Sequence, residues 1–326
     1  MSLTVTNNNY AGVLNPGLSA LISIGANDYT LWHSATTSGS KVRMSYVDAT
    51  TSLQDLSGGI CTFADAGDRT LDFMNLDLVQ LGSQQSACIS ELYATDYASA
   101  SAGYLNQGVD PELVNAWAGR LVDGYSKGME NLRWSGDLLS GVPALAFQDG
   151  IVLQIQALGA YVAGANDTGY QKVATTVVSA ANVIAELQKH IAVLPFEVTS
   201  HPGYKLVVAP GVAKFFQQAV MTATGVNNLM LVDTDLATGR ITSNFFGFPI
   251  YMAKGLGATA ANNNNIMSGI FVDAPEGVIK WGVNLPSDEQ NIELKETNDG
   301  DNLRLRLASA QAVTVIPNGS QISLNI

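Results

Sequence analysis

Three histidines, His33, His190 and His201, are the whole imidazole complement of this 326-residue chain. Zinc or triad chemistry needs such side chains to converge with carboxylates, thiolates or a nucleophile. His33 stands in a segment almost without charge. His190 falls near the C-terminus of an amphipathic run, where the helix dipole favours a cation. No G-x-S-x-G elbow accompanies them. Asp233 with Asp235, and Asp299 with Asp301, place carboxylates two residues apart. Neither pair has the glycine and glutamate of a calcium loop in register, so both read as turn residues. Gly255, Gly257 and Ala260 fit G-x-G-x-x-A after a strand. A dinucleotide site needs a helix to open there, whereas the chain runs into Ala261-Asn262-Asn263-Asn264-Asn265, which reads as a flexible loop. There is no Walker A sequence. These residues assign no catalytic, cofactor-binding or metal site, and imply no cofactor.

Composition turns attention from chemistry to architecture. Hydrophobic residues make up 47% of the chain, enough for a sizeable core. Charged residues make up only 13%, about half the usual share of a soluble domain. A surface so poor in charge suits a protein largely covered by partners. The net charge of -12 argues against a nucleic-acid reader, which needs a basic face; it leaves open a container for nucleic acid. Cys61 and Cys88 show no C-x-x-C spacing and read as free thiols in a reducing compartment. The first residues, MSLTVTNNNYAG, lack the cationic and apolar regions of a signal peptide. No run approaches the length of a membrane span, so the sequons at Asn166 and Asn318 read as chance matches.

The element with the clearest pattern is residues 110–132, DPELVNAWAGRLVDGYSKGMENL. Asp110 suits an N-cap, Pro111 the first helical position, and Glu112 the positive end of the dipole. Leu113, Trp117, Leu121 and Tyr125 form one apolar row, with Val114, Ala118, Val122, Met129 and Leu132 beside it. At 1.5 Å per residue this predicts a rod of about 33 Å. Residues 1–40 hold one carboxylate, Asp28, and no lysine or arginine; with scattered Leu, Ile and Trp32 they read as an extended arm. Alternation predicts a strand over Lys41–Asp48 and another over Leu71–Leu81, joined by a Gly/Asp-rich tip. Gly150–Ala165 and Gln171–Ile191 read as helices, Tyr204–Val208 as a buried strand, and Pro210 to about Gly225 as a short helix. GRITSNFFGFPIYMAK and IMSGIFVDAPEGVIKWGVN read as short strands with glycine turns. In the tail, Ile292 and Leu294, then Leu303, Leu305 and Leu307, alternate with charges around Asn298-Asp299-Gly300-Asp301. A last pair of strands, QAVTVI and QISLNI, flanks Pro317-Asn318-Gly319.

Arm, long hairpin, long helix, mixed domain and terminal strands, in that order, resemble the major capsid proteins of tailed bacteriophages, the Hong Kong ninety-seven-type fold. SACISELYATDYASA looks like the approach to that family's spine helix and residues 110–132 like the spine. ENLRWSGD with AFQDGI resembles the link into the axial domain. YKLVVAPGVAKFFQQAVM resembles the strand–helix pair inside that domain, and FFGFPIYMAKGL its glycine-then-strand element.

The resemblance implies an α+β chain with residues 1–40 as N-arm and 41–81 as strands and E-loop hairpin, its tip at about 49–70. Residues 82–149 would be peripheral domain, 150–284 axial domain, and 285–326 return strands of the peripheral domain. It implies a non-enzymatic structural subunit. Many copies, as hexamers and pentamers, would build an icosahedral virion shell around double-stranded DNA without sequence-specific binding and without a membrane. A separate scaffolding protein is expected, because no coiled-coil segment precedes the arm, with portal and minor capsid proteins as further partners. No lysine lies between Lys41 and Lys127, so the tip lacks the nucleophile of the crosslinking members. An encapsulin-type compartment, a tail-tube subunit and an intracellular α/β enzyme are the alternatives.

Overall fold

The computed structural model describes residues 31–36, 41–49, 69–88, 111–163, 165–166, 169–174, 176–222, 232–235, 240–258, 262–283, 291–296, 302–316 and 321–325. In chain order the elements are β1 (His33–Thr36), β2 (Lys41–Ala49), β3 (Arg69–Asp77), β4 (Val79–Cys88), α1 (Pro111–Ser135), α2 (Ile151–Ala157), β5 (Gln171–Val173), α3 (Val183–Ala192), α4 (Phe196–Thr199), β6 (Tyr204–Val208) and α5 (Pro210–Thr222). Then follow β7 (Val232–Asp235), β8 (Arg240–Phe245), β9 (Phe248–Met252), β10 (Ile266–Ile270), β11 (Ile279–Val283), β12 (Asn291–Glu296), β13 (Asn302–Val315) and β14 (Ile322–Asn325).

These strands form two sheets and a ribbon. One sheet has seven strands in the order β5-β14-β10-β6-β9-β8-β7. Its central strands carry apolar residues at nearly every position, and β10 and β14 are buried throughout, which requires cover on both faces. α3 packs on β10 and against α5. The sheet lies in one large core with Leu206, Val207, Phe216, Phe245, Ile266 and Phe271. β8 turns into β9 through Phe246 and Gly247, both at positive φ.

The other sheet has five strands. β11 and β12 each pair antiparallel with β13, β1 adds to β11 in parallel, and β4 pairs along β13 from Asn302 to Gln311. Here period two governs. Over the first half of β13, Leu303, Leu305 and Leu307 are buried while Arg304 and Arg306 are exposed, so there one face is covered and the other open, whereas β11 is buried at all five positions and shares the large core. α1 packs on β13. Its Met129 and Leu132 cluster with Leu81 of β4, and the Tyr125 hydroxyl meets Ser309 Oγ at 2.7 Å. β2 and β3 pair over their whole length as a separate antiparallel ribbon.

Several expectations need correction. The long helix continues one turn past Leu132, to Ser135. The stretch Leu71–Leu81 is two strands: the chain leaves the ribbon at Asp77, and β4 then runs to Cys88 in the five-stranded sheet. The helix expected over Gly150–Ala165 stops at Ala157. There the Asn166 side-chain amide donates to the carbonyls of Leu158 and Ala160, taking partners a longer helix would need. The helix expected from Gln171 begins only at Val183, and Gln171–Val173 is a strand. Asn182 fixes the segment before α3: its Oδ1 accepts from the Ser179 N–H, and its amide donates to Thr176 and Val177. QAVTVI and QISLNI do not pair with each other. The first ends β13 beside β11, and the second becomes β14 between β10 and β5. A division at residue 284 therefore separates β11 from its own sheet and β14 from the seven-stranded one. The supposed arm also ends early, since Leu31 and Trp32 are fully buried and His33 opens β1. The tip at 49–70 lies outside the described residues except for Ala49 and the first two residues of β3.

Candidate functional site

The histidines go to separate tasks. His201 Nδ1 accepts the Gly203 N–H in a tight turn. His33 occupies a backbone register position opposite Lys280. His190 is not the helix-end cation that its position suggested. It is fully buried, and burial, followed by the charge of Lys189, lowers its pKa to about 3. Its Nδ1 lies 2.7 Å from Ser323 Oγ, which lies 2.6 Å from Ser268 Oγ. The sequence did not flag this histidine–serine chain. All three side chains have no solvent exposure, so no substrate reaches either hydroxyl, and the chain serves as internal hydrogen bonding between α3, β14 and β10.

The glycine motif is a packing device. Gly255–Gly257 is a 3₁₀ turn against the last turns of α1. A Cβ at Gly255 would sit 2.3 Å from the Glu130 carbonyl oxygen. Glu130 Oε1 accepts the N–H groups of Lys254 and Gly255, and Ser135 Oγ donates to the Gly255 carbonyl. The asparagine run is ordered where it is described. Asn262–Asn264 is a 3₁₀ turn, and Asn263 Oδ1 accepts the Gly211 N–H in the first turn of α5. Asp233 and Asp235 lie in β7, and Asp299 and Asp301 lie outside the described residues, as do Cys61 and Asn318. Cys88 ends β4. Among the described residues no group of three or more histidine, cysteine or acidic side chains could hold a metal, and no helix is long and apolar enough to cross a membrane.

What α1 organises is a junction. Arg133, in its last turn, is buried with its guanidinium 5.3 Å from the Trp32 ring and 5.1 Å from the Trp281 ring. Its Nε donates to Gln311 Oε1 at 2.8 Å, and its Nη2 donates to the same oxygen. One side chain thus joins the segment before β1, β11 and β13, while Glu130 three residues earlier holds the 254–257 turn. A cation enclosed by two ring faces and a carboxamide keeps electrostatic partners after leaving water.

Beyond α1 the chain makes a closed, hydrogen-bonded loop. The Gly150 N–H donates to the Gly136 carbonyl, and the Asp137 N–H to the Leu145 carbonyl. Asp149 Oδ1 accepts the Leu138 N–H, and Asp137 Oδ1 accepts the Leu139 N–H. Gly136 is required where the loop closes, because a Cβ would stand 2.3 Å from the Gln148 carbonyl oxygen. This frame holds Leu138, Leu139, Val142 and Phe147 outward, each more than half exposed and Leu139 94% exposed. Val177 and Phe196, flanking α3, are exposed to 81% and 83%. Contiguous apolar patches held outward by an ordered backbone are candidate contact surfaces. Adjacent leucines inside a Gly/Asp/Ser loop were the available sequence signal for the first of them.

No protein-family model matches the sequence, and no curated protein is similar to it in sequence. Solved structures do resemble the fold. The capsid of cyanophage A-1(L) matches at TM-score 0.58 and 12% identity, over 93% of this chain and 92% of that one. The capsid of a native GTA particle matches at TM-score 0.53 and 13% identity, over 94% and 89%. The procapsid of satellite phage P4 matches at TM-score 0.53 and 13% identity, over 95% and 90%. With more than nine-tenths of its length aligned to each of these, the chain has the tailed-phage capsid fold of the Hong Kong ninety-seven type.

Proposed function

We propose that this protein is the structural subunit of an icosahedral shell that encloses the double-stranded DNA of a tailed bacteriophage. The observation that carries the reading is the whole-length likeness to capsid subunits, at more than nine-tenths of this chain. A charge-poor composition and ordered apolar side chains at Val177 and Phe196 support it, since copies that pack edge to edge need such surfaces. The subunit works without catalysis, as hexamers and pentamers in the virion, after synthesis in the bacterial cytoplasm. A separate scaffolding protein directs assembly, and portal and minor capsid proteins complete the shell. In this reading α1 is the spine, and the five-stranded sheet with α1 makes the peripheral domain. The seven-stranded sheet is the axial domain, residues 1–30 are the N-arm, and the segment between β2 and β3 is the E-loop. The net charge of -12 fits a shell whose interior does not grip packaged DNA.

The test is negative-stain microscopy with light scattering on the full chain, produced with and without a co-expressed scaffolding protein. Closed particles are expected. Tubes would point to a tail-tube subunit, and a monodisperse monomer or dimer under both conditions would overturn the proposal. Particles that load a host enzyme in place of DNA would mark an encapsulin-type compartment.

A further inference from the structure

Where the ribbon, the loop after α1 and β13 meet, the surface carries a groove of about 300 Å³. Val79 and Val313 line it together with Leu138 and Phe147, two of the four outward side chains of the closed loop. Gln148 also lines it, is only 8% exposed, and makes no side-chain hydrogen bond among the described residues; its Nε2 is buried without an acceptor. A buried donor left unmet is destabilising, so an acceptor delivered from outside would gain on arrival. The rim is acidic. Asp77 and Asp149 line the groove and Asp137 opens the same loop. Asp77 pairs with Lys41 at 3.0 Å. Asp137 and Asp149 each use Oδ1 on a backbone N–H, and the second oxygen of each has no donor among the described residues.

We propose that this groove docks a cationic, apolar segment of a second protein. Its apolar side chain fills the space between Phe147 and Val313, a carbonyl accepts from Gln148 Nε2, and a flanking lysine or arginine meets Asp137 and Asp149. Charge decides between a foreign partner and a second copy. The chain carries 16 lysines and arginines against 28 acidic residues, so a second copy brings net negative charge to an acidic rim. The loop is held by its own backbone bonds before any partner arrives, so docking needs little ordering on this side. The inference rests on the shell-subunit reading only for the setting in which such a partner is met.

The probe is a fluorescein-labelled peptide of alternating leucine and lysine, compared with versions carrying glutamine or glutamate in place of every lysine. Fluorescence anisotropy with the full chain should show the lysine peptide binding at least about tenfold more tightly than either control, and weakening as salt is raised. The double variant Leu138→Ser/Phe147→Ser changes only exposed side chains and should lose about tenfold in affinity with unaltered circular dichroism. Gln148→Leu, which keeps the apolar wall, should lose less. Equal binding of the glutamine peptide, or unchanged binding by the double variant, overturns the proposal. So does sedimentation showing copies associating through this patch and separating in the double variant. Shells without peptide binding sink the groove alone, and peptide binding without shells sinks the shell reading alone.

Discussion

The two sheets spend their hydrophobic residues differently. In the seven-stranded sheet, β10 reads Ile-Met-Ser-Gly-Ile with every position buried, and β14 is the same. Even its polar groups, Ser268, Ser323 and Asn325, are turned inward and hydrogen bonded to one another or to backbone. In the five-stranded sheet, β13 keeps Leu303, Leu305 and Leu307 under cover and leaves Arg304 and Arg306 outside. Among the described residues the ribbon β2–β3 pairs only with itself, and a two-stranded ribbon is marginal alone. A sheet covered on both faces is complete within one chain. The five-stranded sheet is enclosed only along β11, and its outer part, where β13 alternates, leaves one face open beside a ribbon and an apolar loop. The seven-stranded sheet is therefore enclosed by its own chain, while the outer part of the five-stranded sheet leaves a face open.

This contrast can be tested by unequal sensitivity to substitution. The largest effect is expected in the doubly covered sheet. Leu206 of β6 is fully buried, and Leu206→Ala should cost about 3–5 kcal/mol, the upper range for a core that cannot collapse around the cavity. Urea denaturation measures it, and a loss below about 1 kcal/mol would mean that the sheet is less tightly enclosed than described.

An effect of comparable size, but spread over several pH units, distinguishes the sheets by pH. Burial holds His190 at about 3 when folded, while the unfolded chain takes up its proton near pH 6.5. Because the folded value is the lower one, the unfolded state binds more protons between the two values. Stability is then full above about pH 6.5 and falls toward pH 3, by up to about 1.4 kcal/mol per pH unit. His190→Gln should flatten that part of the profile. A variant whose urea midpoint drops with acid as steeply as the wild type would show that the slope comes from elsewhere.

The smallest effect is expected on the open face. Arg306→Gln should change stability by no more than about 0.5 kcal/mol, since its side chain is exposed. A loss comparable to that of Leu206→Ala would mean that the outer face of β13 is covered after all.

Much of this was legible from periodicity. The apolar rows of residues 110–132 found the helix that holds the junction, and strict alternation found β2 and the Leu303–Leu307 stretch. Proline opened α5, and the order of elements pointed to the capsid fold. The misses share a cause. Gly150–Ala165 and Gln171–Ile191 are apolar enough for helix, but Asn166 and Asn182 divert local carbonyls and N–H groups into turns, and a side chain's choice of partner leaves no periodic trace. Gly255 and Gly257 matched a nucleotide motif because close backbone approach needs glycine whether the neighbour is a phosphate or a helix.

The sequence by itself determined element types, the acidic and charge-poor surface, and the absence of any recognisable catalytic motif, because these follow from neighbours within a few residues. Only the tertiary structure decided that β14 joins the seven-stranded sheet, that His190 is neutral and enclosed, and that Arg133 sits between Trp32 and Trp281. It also decided that Leu138 and Phe147 stand over Val313. Each of these depends on which distant segments meet, and burial, pKa and exposure are properties of that meeting rather than of the residues in line.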